Sequence, residues 1–445
     1  MDTNAPAAAA SPASSIAPLQ AALAIVGAGP VGLCLALGAA RAGLSVVLVE
    51  KQPRAALAQA AFDGREIALT QASCALLREL ELWPHFAPAD CSPLRDALVI
   101  NGSTGRGLGH GAAMTISARA RQREELGFLV PNFLIRRAAY AALFDGPHAA
   151  RVTLLDQSGV QALQRDGQSA RLKLSGAHAG QEIHAPLLVA ADSRFSDTRR
   201  LMGIGAQMRD FGKTMLVVRM THERPHHHAA WEWFGYGQTL ALLPLNARVA
   251  ADGGEPVHHS SVVLTLPGEA MQQMLQLDDA AFAQDITRRF EGRLGAMAVD
   301  VADPQGGGAR HTYPLMGVYA DDFSGLRCAL VGDAAVGMHP VTAHGFNLGL
   351  QGQHTLLRTV LAARERGADI GAPAVLAAYG RAHRRVAWPM YQGTNLVASL
   401  YTQDAPPARW LREAVLRLAD RVAPVKQAIA AHLVQDHEGT GRRPR

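Results

Sequence analysis

Two fragments lying far apart in the chain carry residue types and spacings suited to chemistry. They are Gly27-Ala28-Gly29-Pro30-Val31-Gly32 followed by Glu50, and Gly332-Asp333 followed by His339-Pro340 and His344-Gly345-Phe346-Asn347. Glycines at 27, 29 and 32 permit a sharp turn, a close backbone approach to a pyrophosphate and tight helix–strand packing, with the phosphate charge set at a helix N-terminus. Glu50, about 20 residues past the glycines, is placed to accept hydrogen bonds from a ribose and disfavours a 2′-phosphate. Asp333 offers a carboxylate for a ribitol hydroxyl. A helix opening at Gly345 would aim unpaired N–H groups and a positive dipole end at an anion, such as the negative edge of a reduced flavin. The two fragments together predict one shared ligand, FAD.

Around these residues, Leu23 to Val26 reads as a buried strand, Val31 to Ala42 as a helix packed on a sheet, and Ser45 to Val49 as a second strand ending at Glu50. Cys328 to Val331 reads as another buried strand, and Gly345 to Arg358 as the helix that follows it. The expected fold class is α/β: a Rossmann-like FAD-binding domain with an inserted β-sheet substrate domain and C-terminal helices. The FAD domain is expected from residues 21–90, 127–204 and 313–371, and the substrate domain from 91–126 and 205–312. Helices follow over 372–435, with disordered tails at 1–20 and 436–445. Alternating runs at Asp96 to Asn101, Thr214 to Thr221, Gln238 to Leu245 and Ser260 to Leu266 predict one sheet, with a helix over Leu277 to Leu294 lying on it.

This combination resembles the FAD-dependent aromatic hydroxylases of the para-hydroxybenzoate hydroxylase fold, and within them the ubiquinone-biosynthesis hydroxylases, over about Leu23 to Val434. Further stretches fit the family. Asp63-Gly64-Arg65 is similar to its arginine segment, whose guanidinium lies against the cofactor. Ile135-Arg136-Arg137 is similar to a second FAD-contacting segment, with Arg137 as the contacting residue, and Asp192-Ser193 to an Asp-Gly motif that handles FAD and nicotinamide. Leu240 to Leu245 looks like the strand that enters the substrate sheet. Two departures stand out: Ser193 where the family usually has glycine, and Ala343-His344-Gly345 where it usually has Gly-Gln-Gly. The second resembles a branch with broadened ring-position specificity.

The resemblance implies hydroxylation of an aromatic ring through a flavin hydroperoxide, with molecular oxygen and NADH, NADPH or another electron donor. The implied substrate is a polyprenylated phenol in ubiquinone biosynthesis. Cofactor-binding candidates are Gly27, Gly29, Gly32, Glu50, Arg65, Arg137, Asp192, Asp333, Gly345 and Asn347. His339 and Pro340 belong on the loop beside the isoalloxazine. His344 is placed either to polarise a phenol or relay its proton, or simply to hydrogen-bond its own loop. Trp231, Phe234, Thr239, Leu243 and Met316 are candidates for lining the substrate pocket. A hydroxylase of another phenolic metabolite, a flavoprotein reductase of prenyl chains and a non-enzymatic prenyl escort share parts of this pattern.

Composition sets bounds. At 445 residues, 48% hydrophobic and 18% charged, the chain can bury more than one core. A net charge of +5 without a basic, aromatic-interleaved stripe argues against a nucleic-acid partner. Cys34, Cys74, Cys91 and Cys328 show no C-x-x-C spacing, which predicts reduced thiols in a cytoplasmic protein without metal. His226-His227-His228 reads as a solvated loop. No run of about 18 apolar residues occurs. The basic pattern around Leu411, Val415, Leu418 and Val422 suits either packing on the protein's own body or a lipid surface. Peripheral contact with the inner membrane or with a quinone-biosynthesis complex is the corresponding expectation, and the oligomeric state is left open.

Overall fold

The computed structural model describes residues 17–101, 113–235, 238–248, 255–339 and 344–402. The cofactor side is built on a sheet ordered Ser324–Gly325, Cys328–Leu330, Leu187–Ala190, Leu23–Val26, Val46–Val49, Val152–Leu155, in which all pairs but the first are parallel. Its central strands read as continuous apolar runs because they are covered by helices such as Pro30–Arg41 and by the small sheet of Ser158–Arg165, Ala170–Gly176 and Glu182–Ala185, whose Leu172, Leu174 and Ile183 share the same core. Leu23–Val26, Val46–Val49 and Leu187–Ala190 are buried at every position. The helix Pro30–Arg41 begins with proline, whose fixed φ and missing N–H cost nothing in a first turn, and it packs against the helices Asn132–Phe144 and Gly345–Glu365. The expected α/β class with a Rossmann-like cofactor domain is therefore observed.

A second, larger sheet runs in the order Val336–Gly337, His311–Ala320, Ala206–His222, Val257–Pro267, Gln238–Arg248, Ala229–Gly235, Asp96–Asn101, Ala113–Ser117. One face is covered by the helices Gly268–Gln276 and Asp279–Arg289, whose Met271, Met274, Phe282 and Ile286, with Phe290 just past the second helix, join Leu216, Val218, Leu240, Leu242, Val262 and Leu264 in one core. The other face looks toward the cofactor domain.

The structure departs from expectation in four places. His311–Ala320, cut at 312/313 by the sequence reading, lies entirely within the large sheet because it pairs along Ala206–His222. The helix expected over Leu277 to Leu294 is shorter, Asp279–Arg289, capped by Asp278 accepting the Ala281 N–H, and a separate helix, Gly268–Gln276, precedes it. Leu19–Gln20, assigned to the N-terminal tail, forms a short parallel strand with Ile183 and His184. Trp231-Glu232-Trp233, given no element, sits in the strand Ala229–Gly235. Among the described residues the C-terminal region contributes the helix Pro373–Thr402, with Pro389 inside it; the amphipathic stretch at Leu411 to Val422 lies outside them.

Candidate functional site

The first fragment closes as a tight turn because Gly27 takes a φ of +105°, a region open to glycine. A Cβ on Gly27 would lie 2.5 Å from the Ala191 carbonyl oxygen, and one on Gly32 would lie 2.0 Å from the Gly27 carbonyl oxygen. Gly29 differs: a Cβ there would meet nothing within 4 Å, so it borders open space at the start of the Pro30–Arg41 helix. The Glu50 carboxylate accepts the Ala28 N–H at 2.6 Å and the Gln52 N–H at 2.9 Å, bracing the turn with one lone pair of each oxygen.

The second fragment is brought onto the first. Val31 lies 3.4 Å from where a Gly332 Cβ would stand and 2.8 Å from that of Gly349, so hydrogen at both positions lets the two helices and the Gly332 turn meet. Asp333 follows, and its carboxylate accepts Arg194 Nη2 at 3.0 Å while Arg194 Nη1 donates to the Met316 carbonyl at 3.0 Å. Asp192, beside Gly27, accepts the Thr198 N–H at 3.3 Å, and its other oxygen is buried with no hydrogen-bond partner. Open space at Gly29 and Gly345, a buried orphan acceptor at Asp192 and the Asp333–Arg194 pair make a cradle that fits FAD. Ser193, in place of the family's glycine, is not among the residues with positive φ, so the substitution strains no backbone; its hydroxyl accepts the Phe195 N–H.

Arg65 pairs with Asp63 at 2.6 Å and lies 5.4 Å from the centre of the Tyr313 ring. Burial opposes its charge, but Asp63, Tyr313 and Asp333 outweigh that and hold the guanidinium above its ordinary value. Arg137 does not join this group. It is exposed, donates to the Ala60 carbonyl at 2.9 Å and covers the Phe133 ring. One helix position earlier, Arg136 donates to Gln52 at 3.1 Å; burial lowers its pKa, and Asp63, Arg65 and Glu50 act on it electrostatically. The chain thus brings Arg136, not Arg137, to the site.

Asn347 is present but occupied. Its Oδ1 accepts the Thr70 N–H at 3.1 Å and its Nδ2 donates to the Ala68 carbonyl at 2.8 Å, so the side chain pins the N-terminus of the Gly345–Glu365 helix to the strand Glu66–Thr70. His344 is buried immediately before that helix. His339 is buried edge-on against Phe211, ring centres 4.7 Å apart; burial, with Lys213 and Arg209 adding to it, pushes its imidazole down to about 4. Pro340 lies outside the described residues.

Of the pocket candidates, Phe234, Thr239 and Leu243 share the face turned to the cofactor domain, and Met316 lies beside Arg194 through its carbonyl. Trp231 does not line that face: it packs against Phe290 on the helix-covered side, as does Trp233. Residues that the sequence reading did not single out complete the cofactor-facing side. Met215, Val217 and Leu315 cluster there with Phe211, Val263 and Tyr313, and the Tyr313 hydroxyl donates to the Asp63 carbonyl at 2.6 Å. Strand alternation carries their signal, but it does not say which face meets the cofactor.

Within the histidine triplet, His227 is exposed in a turn, as a solvated loop would have it, whereas His226 is not. His226 is buried, donates through Nε2 to the Leu245 and His259 carbonyls at 2.9 and 3.0 Å, and accepts the His228 N–H on Nδ1. Burial pushes it and His222 down to about 4. His226 borders a cavity of about 660 Å³ with His227, His228, Arg95, Arg119 and His258; no metal-holding group occurs among the described residues.

The sequence matches the family described as FAD binding domain over residues 20–394. It is 40% identical over 409 residues to the ubiquinone hydroxylase UbiM of Neisseria meningitidis, covering 92% of this chain and 83% of that relative. It is 33% identical over 408 residues to the ubiquinone hydroxylase UbiL of Rhodospirillum rubrum, covering 92% and 88%. The crystal structure of p-nitrophenol 4-monooxygenase PnpA from Pseudomonas putida shares the fold, with a TM-score of 0.70 at 19% identity over 96% of this chain and 100% of that one. The chain belongs to the FAD-binding aromatic monooxygenases, with FAD as its cofactor and ubiquinone hydroxylases among its relatives.

Proposed function

We propose that the chain hydroxylates the ring of a polyprenylated phenol in ubiquinone biosynthesis. The observation that carries this reading is the 40% identity to a ubiquinone hydroxylase along 92% of the chain. The apolar, cofactor-facing surface of Met215, Val217, Val263, Ala241 and Leu243 supports it. When bound, FAD reduced by NADH, NADPH or another donor supplies the activated oxygen.

The chain's own part is to bind, orient and exclude water. The Gly27–Gly32 turn and the N-terminus of the Pro30–Arg41 helix receive the pyrophosphate, Glu50 the ribose, and Asp333 the ribityl chain, with Arg65 and Arg136 adjacent. His339, neutral at pH 7, acts with Phe211 as an apolar wall. His344, at the helix start, is then the imidazole left to move the phenol proton.

Under ¹⁸O₂, product formed from a prenylated phenol should carry one labelled oxygen, and the gene should restore quinone synthesis in a strain lacking a ring hydroxylase. An unlabelled, reduced product would instead identify a prenyl reductase.

We also infer that the enzyme meets its hydrophobic substrate at the cytoplasmic surface of the inner membrane, where an assembly of quinone-biosynthesis enzymes is the natural setting. On the helix Pro373–Thr402, Leu396 is 67% exposed and Trp388 43%. No helix among the described residues is long and apolar enough to cross a membrane. Floating the protein with anionic vesicles should retain it, and Leu396→Asp should reduce the bound fraction several-fold; equal flotation of both would refute the contact.

A further inference from the structure

The strand Ala229–Gly235 sets one carboxyl into an otherwise apolar row. Trp231 and Trp233 pack against Phe290 on the helix-covered side, so Glu232 between them projects to the opposite face. There it stands between Ala241 and Val99, and the row continues through Val263 and Val217 on one side and Met114 on the other. This is the face the cofactor domain covers. Arg219, two positions from Val217, pairs with Glu66, and Tyr313, opposite Met215, binds the Asp63 carbonyl. Phe234, Thr239 and Met215 form the next row toward Phe211 and His339, so Glu232 lies about 7 Å farther along the sheet.

Glu232 has no hydrogen-bond or ion-pair partner among the described residues, yet it is partly accessible and not sealed in the core. Burial pushes its carboxyl up to about 8 with no charged neighbour contributing, so it is mostly a neutral acid at pH 7. An unpaired carboxyl among Ala, Val and Met side chains stabilises nothing in the sheet. It suits a cavity that must recognise a polar group on a largely apolar ligand.

Resting on the hydroxylase reading above, we propose that Glu232 sets substrate specificity by hydrogen-bonding the ring hydroxyl of the phenol while the apolar row holds the ring and prenyl chain. A protonated carboxyl donates one hydrogen bond and accepts another, which matches a phenol O–H. A ligand lacking the hydroxyl leaves that carboxyl desolvated and unpaired, a mismatch that discriminates far more strongly than an extra methylene does.

The test titrates the FAD-loaded protein with 2-prenylphenol and with prenylbenzene, followed by flavin fluorescence. Wild type should prefer the phenol by at least about tenfold. Glu232→Leu should abolish the preference from both sides, weakening the phenol and tightening prenylbenzene, which a merely structural residue would not do. Glu232→Gln, which keeps a donor and an acceptor, should retain part of it.

A second arm uses wild type alone. Raising the pH from about 7 to about 9 ionises the carboxyl and should widen the preference, because prenylbenzene then desolvates a charge that the phenol can bond. Over that range the surrounding groups keep their charge. Arg219 stays paired with Glu66 and Asp303, His339 is held neutral near 4 by burial, and burial raises the Tyr313 hydroxyl. A wild-type preference that persists unchanged in Glu232→Leu, or that is flat with pH, overturns the assignment of Glu232 alone. A wild type that binds neither ligand overturns the function reading, and this inference with it.

Discussion

Arg219→Ala is expected to lower the unfolding free energy by about 3–5 kcal/mol. Arg219 projects from Ala206–His222 toward the cofactor domain. There its Nε and Nη2 donate to Glu66 Oε1 at 2.9 and 2.6 Å, and its Nη1 donates to Asp303 Oδ2 and Gln305 Oε1, each at 2.8 Å. The guanidinium also covers the Phe62 ring at 4.5 Å. Glu66 has a side-chain exposure of 0%, so removing its cation strands a carboxylate where water cannot replace the bond.

Urea unfolding at neutral pH measures the loss. The double variant Glu66→Gln with Arg219→Met should lose much less than Arg219→Ala, because deleting both charges removes the stranded ion as well. The penalty should also shrink in acid. Burial already raises the Glu66 carboxyl, with Arg219 opposing; without Arg219 it rises further above its unfolded value near 4.3. A carboxyl raised on folding destabilises as pH rises through that window, so the variant regains stability as pH falls toward 4.3. Loss of under about 1 kcal/mol at pH 7 would mean that the two domains do not depend on this pair.

Gly27→Ala is expected to empty the protein of FAD and to lower stability by about 1–3 kcal/mol, whereas Asp333→Ala should lose FAD with stability changed by less than about 0.5 kcal/mol. The difference comes from what each position touches. A Cβ on Gly27 meets the Ala191 carbonyl oxygen at 2.5 Å and the Asp192 Cα at 2.6 Å, in a backbone region unsuited to alanine, so the turn itself must move. Asp333 is 38% exposed and bound only at its edge by Arg194, so truncating it leaves packing intact. The ratio of flavin to protein absorbance after gel filtration, read beside a thermal melt, separates the two outcomes. Wild-type flavin content in both variants would show that the glycine turn and the Gly332-Asp333 turn do not share one ligand.

Local chemistry determined a good deal of this protein. Leu23–Val26 and Asp96–Asn101 begin and end where their apolar and alternating patterns say, since a strand's residues announce its period within a few positions. The glycine turn, Glu50 and Asp333 pointed to FAD, the cofactor of the family the chain belongs to, because backbone freedom and charge are legible in the residue types themselves. Other matters were settled only by residues on other elements of the fold. Arg136 and not Arg137 reaches Gln52, since one step on a helix rotates a side chain by about 100° and the sequence does not say which side meets the cofactor. Asn347 was read as a cofactor contact, but its amide is consumed by Ala68 and Thr70, an arrangement that exists only once the helix docks on that strand. His226 is buried through carbonyls of two strands that the triplet itself cannot reveal. Trp231 and Glu232 changed places in importance for the same reason. A period of two assigns neighbours to opposite faces, and only the packing of Asp279–Arg289 on one side and of the cofactor domain on the other decides which face becomes core and which becomes cavity.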